Sequence, residues 1–205
     1  MTISRERTET IETGGMEMVE PTENQRRLDE LFERLEQAFP EGYKIEIVEG
    51  AIFMTPQRDV HWTTIRRIVR ALEDRFGMDV PVMSDVRIDF PGKENGFCPD
   101  VLKLADDAKK DRGRWRHQDI EFVAEVISRG TAANDYGPKK TIYAEAGIPV
   151  YMIADPYIGR CRVFTHPQDG EYRIDTTLAY GLPIDLTKTI VDLTISTEGF
   201  PREAP

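Results

Sequence analysis

Residues 122–127, Phe-Val-Ala-Glu-Val-Ile, decide the fold. The run is apolar at every position but one, so both faces of an extended segment here are covered. That is the mark of a central strand in a sheet with layers on either side. A second apolar run, Val150-Tyr151-Met152-Ile153-Ala154, reads the same way. Between them, Ser128 to Asn134 forms a loop with capping residues, and a helix runs from Asp135 or Pro138 to Ala146. Gly147 caps that helix, and Pro149 bars its continuation. Two covered strands joined through a helix predict a crossover within a mixed sheet, and hence an α/β domain. The exception in the first run is Glu125. An unpaired carboxylate in such a place costs several kcal/mol or is forced to neutralise.

Working outward, Pro21-Thr22 opens a first helix with Thr22 as N-cap. Its Leu28, Leu31, Phe32, Leu35 and Phe39 share one face, which is either core or interface. Tyr43, Ile45 and Ile47 then alternate with Lys44, Glu46 and Val48, the pattern of a half-buried strand. Glu49-Gly50 is the turn to a return strand at 51–54. A second helix spans Asp59 to Phe76, with Ile65, Ile68, Val69, Leu72 and Phe76 inward and Gly77 as its stop. Val86 to Phe90 alternates as a strand, and Val101 to Leu104 forms another directly after Pro99-Asp100. The charged stretch 105–118 reads as a mobile loop or short helix. Residues 160–165 and 171–177 pair as a hairpin around Gln168-Asp169-Gly170. Short strand pieces occupy 184–195, and residues 197–205 fray. Residues 1–20 read as a disordered leader, and 21–200 as one domain.

Composition narrows the class. The chain has 205 residues, 40% hydrophobic and 31% charged, enough for a sizeable core. No apolar run approaches the ~20 residues that span a bilayer. The polar N-terminus lacks the apolar region of a signal peptide, which points to the cytoplasm. Cys98 and Cys161 follow no ligand spacing and read as two reduced thiols. The net charge of −10 argues against strong non-specific affinity for DNA, although a local basic strip is compatible with it.

Asp100 precedes one strand and Glu125 lies within another. If those strands are neighbours, the two carboxylates converge. Hard oxygen ligands of this kind suit Mg²⁺ or Mn²⁺, which complete their shells with water and phosphate. Such an ion polarises a scissile phosphate and acidifies a bound water, and a nearby lysine orients that water or offsets charge. Each residue also has a plainer role. Asp100 would cap the segment after a proline, Lys139 would be a solvated helix lysine, and Asp135 would be the N-cap of its helix. His61, at a helix start, reads as structural. Arg112, Arg114, Trp115, Arg116 and His117 form a basic stretch that either tracks a nucleic-acid backbone or is a solvated loop.

As a set, Pro99-Asp100, Glu125-Val126-Ile127-Ser128, Thr131, Asp135, Lys139, Tyr143 and AGIPVYMIADP (146–156) resemble the Uma2 family. So do EIVEG (46–50), Met54, Pro56 and His61. That family is placed among the PD-(D/E)XK proteins. The resemblance implies a restriction-endonuclease-like fold, a central mixed β-sheet flanked by helices, and Mg²⁺- or Mn²⁺-dependent cleavage of DNA. It implies catalytic roles for Asp100, Glu125, Lys139 and Glu49, with Asp100, Glu125 and Glu49 as metal ligands. The D/E-x-K pattern expects lysine at 127, where this chain has Ile127. The resemblance places the missing lysine on the following helix, as Lys139. Met152 stands where relatives often carry tryptophan, a packing change.

Two other functions fit the sequence. One is a catalytically degenerate nuclease fold that binds or assembles, favoured by the acidic balance and Ile127. The other is a metal hydrolase acting on a phosphoester other than DNA. A homodimer, which would let two such domains cut both strands, is compatible with the chain and fixed by nothing in it.

Overall fold

The computed structural model describes residues 20–39, 42–56 and 59–203, so the leader expected at 1–20 lies almost wholly outside the described residues. Helix α1 (Glu23–Ala38) starts on a capping box in which Thr22 and Gln25 bond each other's backbone N–H. The hairpin β1 (Tyr43–Val48) and β2 (Ala51–Pro56) follows, then helix α2 (Asp59–Phe76). Four short strands come next: β3 (Val82–Met83), β4 (Ile88–Asp89), β5 (Gly96–Phe97) and β6 (Val101–Leu104). A 3₁₀ turn leads into β7 (Ile120–Val126). Helices α3 (Ala132–Tyr136) and α4 (Pro138–Glu145) connect β7 to β8 (Val150–Asp155). The hairpin β9 (Arg160–Gln168) and β10 (Glu171–Ala179) and the small pair β11 (Ile184–Asp185) and β12 (Thr194–Ile195) complete the chain.

The central sheet has the order β10-β9-β8-β7-β6-β3. Among the described residues its only parallel pair is β7 with β8, which the connection through α3 and α4 permits. Strand alternation then splits the core in two. Phe122, Ala124 and Val126, with Val150, Met152 and Ala154, face Ile65, Ile68 and Leu72 of α2 and the β11–β12 pair. Met152 is thus an ordinary core residue. Val123 and Ile127, with Tyr151 and Ile153, face Ile142 and Tyr143 of α4. The second core also takes Val48, Ile88 and Phe97 from a small sheet of order β2-β1-β5-β4. Helix α1 covers the other side of that small sheet by packing Leu28 and Phe32 on Ile47, so the apolar face of α1 is core, with Phe39 exposed at its end.

Several expectations give way to longer-range contacts. Strand β1 is covered on both faces, not one, and the side carrying Lys44 and Glu46 points inward. Only Ile88 and Asp89 of the 86–90 segment pair as a strand. The 105–118 segment is tied down by backbone bridges from Asp111 to Arg114 and from Asp89 to Arg116. Of the two starts expected for the helix after β7, Pro138 is where α4 begins; the short α3 lies in the expected loop and is parted from α4 at Gly137, where a Cβ would lie 2.7 Å from the carbonyl oxygen of Ala133. The tail is folded rather than frayed through residue 203. Thr197 and Phe200 are buried, and the Glu203 N–H donates to the carbonyl of Pro156.

Gly96 permits α1 to approach. A Cβ there would stand 2.6 Å from the ring of Phe32. Gly96→Ala is expected to destabilise the domain by about 1–3 kcal/mol through overpacking. The same change made in a Phe32→Leu background should cost clearly less, a non-additivity that denaturant titration of the four proteins would reveal.

Candidate functional site

Strands β6 and β7 run antiparallel with Val101 opposite Ala124, which brings the residue before β6 alongside Glu125. Asp100 is fixed there through its backbone and side chain. Its N–H points to Glu125 Oε2 at 3.3 Å, and its Oδ2 accepts the N–H of Val126 at 2.7 Å. Glu125 shares the α4-facing side of β7 with Val123 and Ile127. Lys139 and Tyr143 are four residues apart on α4 and therefore lie on one face of it. Lys139 Nζ is 2.6 Å from Glu125 Oε1, and the Tyr143 hydroxyl donates to the same oxygen at 2.8 Å.

Strand β1 supplies the remaining groups. Lys44 and Glu46 are two residues apart and project to the same side of the strand. Lys44 Nζ is 2.7 Å from Asp100 Oδ1 and 3.5 Å from Glu125 Oε2. Glu46 Oε1 is 3.0 Å from Lys139 Nζ and accepts the backbone N–H of Cys98 at 2.9 Å. Asp135 on α3 reaches Lys139 at 3.1 Å. The cluster lines a cleft of about 330 Å³, whose wall also includes Asp59, Trp62, Ser84 and Ser128.

Four carboxylates thus meet two ammoniums in a largely dry setting. Burial alone would push the Glu125 carboxyl up, but Lys139 and Lys44, with hydrogen bonds from Lys139 and Tyr143, draw it down to about 2. Burial works against the charge of both lysines as well. It is outweighed at Lys139 by Glu125, Glu46 and Asp135, and at Lys44 by Asp100, Glu46 and Glu125, so both are held above the ordinary lysine range. Asp135 goes the other way. Burial, reinforced by Glu125 and Glu46, raises its carboxyl to about 7 against the pull of Lys139.

The structure therefore gathers Asp100, Glu125 and Lys139 at one point. It does not bring Glu49 to them. Glu49 lies beyond the end of β1, in the β1–β2 turn, with a left-handed φ of 49°, and is exposed. Its N–H donates to Asn95 Oδ1, and its side chain does not line the cleft. Glu46, the first residue of the same EIVEG, stands in the cleft instead. Its position inside the strand was the available signal. Lys44 was also missed, because a strand alternating in polarity was read with its polar side in solvent. Asp135 is not an N-cap; it sits within α3, buried against Lys139. Ile127 packs in the α4-side core, and its carbonyl takes the His61 ring nitrogen at 3.2 Å, which fastens the start of α2 to the end of β7. Most of the basic stretch is spent on carboxylates: Arg114 lies 2.6 Å from Asp29, and Arg116 lies 2.6 Å from Asp119. Cys98 and Cys161 are free and buried, with thiols pushed up to about 12 by burial.

Asp100 and Glu125 have the oxygen chemistry that a small divalent ion requires. Among the described residues, no three His, Cys, Asp or Glu side chains close up as a ready-made metal shell. An ion held by the acid pair would therefore keep positions for water and substrate oxygen.

A mixed sheet with an acid pair on adjacent strands and a buried lysine on the crossover helix defines a restriction-endonuclease-like domain. The family model for Uma2, described as "Putative restriction endonuclease", matches residues 29–198, and the chain belongs to the Uma2 family. Among solved structures, the chain is similar to "a putative nuclease belonging to DUF820" from Anabaena variabilis ATCC 29413. The TM-score is 0.64 at 14% identity, over 84% of this chain and 96% of that one, a likeness of fold. A search of the curated proteins gives no match. No helix among the described residues is long and apolar enough to cross a membrane.

The raised Asp135 carboxyl sets a pH dependence. Unfolded, the group loses its proton near 3.8, whereas folded it keeps it to about 7. Stability contributed by this residue is therefore full below 3.8 and falls as pH rises towards 7. Asp135→Asn should stabilise the metal-free protein above pH 7 by roughly 1–4 kcal/mol, with the gain vanishing near pH 4. Urea titrations of both proteins across that range check it.

Proposed function

We propose that the domain hydrolyses DNA phosphodiester bonds with the help of Mg²⁺ or Mn²⁺ bound at Asp100 and Glu125. The observation that carries this reading is the acid pair itself. Two carboxylates from adjacent strands are set by backbone hydrogen bonds at the floor of an open cleft, and Glu125 is held as an anion far below neutral pH. When bound, the metal supplies Lewis acidity towards the phosphate and a more acidic water. The chain's residues do the rest. Val126 N–H orients Asp100; Tyr143 and Lys139 hold Glu125 Oε1, leaving Oε2 turned to Asp100. Glu46 and Asp135 hold Lys139 in turn.

A nucleic-acid substrate is favoured by Trp62, which is 60% exposed on the first turn of α2 in the wall of the cleft. An indole that open to water is a stacking surface for a base, worth ~1–3 kcal/mol. The net charge of −10 makes such a local contact more important, since little long-range attraction is available. A catalytically silent binding module is the competing reading. The ion pairing of both acids with Lys44 and Lys139 favours it, because that pairing already satisfies them.

Nicking of supercoiled plasmid separates the two. With Mg²⁺ or Mn²⁺ present, the wild type should nick. Asp100→Asn and Glu125→Gln should each lose more than about 100-fold with an unchanged circular dichroism spectrum. Undiminished nicking by either variant overturns the assignment. Trp62→Ala should weaken binding of labelled DNA about 10-fold by anisotropy in EDTA, with Trp62→Phe close to wild type.

A further inference from the structure

Two lysines stand beside the acid pair, and their surroundings differ. An ammonium has three N–H donors and no acceptor. At Lys139 three carboxylates surround the nitrogen: Glu125 at 2.6 Å, Glu46 at 3.0 Å and Asp135 at 3.1 Å. Its side chain is 1% exposed. Three carboxylates crowd this nitrogen, and drawing it towards a water or a phosphate would take it from buried partners that depend on its charge. At Lys44 one carboxylate is close, Asp100 at 2.7 Å. The others, Glu125, Asp85 and Glu46, lie at 3.5, 3.9 and 4.0 Å, beyond good hydrogen-bond length. The Lys44 side chain is 10% exposed and borders the cleft. It rises from near the start of β1, on a flexible four-carbon stem.

From this difference in donor use, we infer that Lys44, not Lys139, is the ammonium that serves the reacting phosphate. We further infer that Lys44 competes with a divalent cation for the Asp100–Glu125 pair. The inference rests on the phosphodiesterase reading above and reassigns the role that the family resemblance implies for Lys139. Lys139 becomes a positioning residue that keeps Glu125 ionised and aimed. In the hydrolysis, water oxygen forms a bond to phosphorus and the bond from phosphorus to the departing sugar oxygen breaks. The attacking water gives its proton to solvent, and the departing oxygen takes one from solvent. Lys44 stays protonated throughout, donating to the water or to the charge gathering on the phosphate oxygens. With no divalent ion bound, the same ammonium balances the acid pair, which explains its place between Asp100 and Glu125.

The two halves give opposite signs in a single variant, which a merely structural role would not. In the full chain, Lys44→Met should bind Mn²⁺ at least about 3-fold more tightly by calorimetry without DNA, because a competing positive charge has gone. Its single-turnover nicking at saturating Mn²⁺ should fall about 100-fold or more. Lys139→Met should instead weaken Mn²⁺ binding and lower the melting temperature. If Lys44→Met does not fold, Lys44→Gln replaces it, with the same two signs expected. Nicking within about 3-fold of wild type at saturating Mn²⁺ overturns the catalytic half. Weaker or unchanged Mn²⁺ binding overturns the competitive half. A wild type that binds Mn²⁺ but nicks nothing overturns the proposed function and the catalytic half with it, while the Mn²⁺ titration still decides the competition.

Discussion

The rest of the structure depends on keeping one carboxylate ionised in the middle of a sheet. Glu125 sits on the strand that both cores share, with apolar neighbours before and after it on the same face. Left unpaired it would cost several kcal/mol. It is kept as an anion by Lys139 and Tyr143 from the crossover helix and by Lys44 from the small sheet. Those partners come from elements that also meet in the α4-side core, where Val48 of β1 and Ile142 and Tyr143 of α4 pack with Val123 of β7. Lys139 in turn needs Glu46 and Asp135, so the charge network reaches β1, α3, α4, β6 and β7. Removing Lys139 would leave Glu125 and Glu46 buried without that partner, which is far more harmful than never having had the pair, whereas Asp135, its carboxyl raised to about 7 by burial beside Glu125 and Glu46, is the member whose charge the network holds at a cost.

How much of this the sequence disclosed follows from how local each signal is. The central strands at 122–126 and 150–155, helix α2 and the β9–β10 hairpin were legible, because unbroken apolar runs, a 3.6-residue period and a Gly-bearing turn are local facts. The convergence of the acid pair was legible for a related reason: a glutamate amid FVAEVI is costly to bury and must face either a partner in the core or a cleft. Lys44 and Glu46 were not, although they stand in as regular an alternation as any in the chain. Alternation shows that a strand has two kinds of face; it does not show which face meets water. Here α1 covers the apolar side with Leu28 and Phe32, and the cleft takes the polar one. The folded tail and the break at Gly137 were hidden because each depends on distant or three-dimensional contacts. Phe200 packs in the α2-side core, and Gly137 leaves room for a carbonyl one turn back.

The same layering bears on the acidity of the chain. Arg114 is matched to Asp29 and Asp89 and so braces the 105–118 segment against α1 and β4, while Arg116 pairs locally with Asp119; two of the basic residues that look like a nucleic-acid strip in the sequence are thus already matched to carboxylates. What the cleft offers instead is short-range: an exposed indole, two serine hydroxyls and an acid pair suited to a metal. On the proposed reading, a surface built this way would recognise a phosphate chiefly at short range, at the acid pair and the metal it would bind, not through a field that steers polyanions from a distance.

Position 127 shares a face with Glu125, yet its side chain packs in the α4-side core and its carbonyl takes the His61 ring nitrogen. A lysine there would have to take its ammonium out of an apolar cluster. A positive charge beside Glu125 must therefore come from an element that crosses the end of β7 from another direction. Two elements do so, α4 with Lys139 and β1 with Lys44. The place of a charge, unlike its position in the chain, is what electrostatics acts on, and a fold that packs three layers around one strand end can supply that charge from any of them. Having two such ammoniums also separates two tasks that a single lysine would have to combine. One is locked by three carboxylates and keeps the glutamate ionised; the other is held by one and retains donors for the cleft.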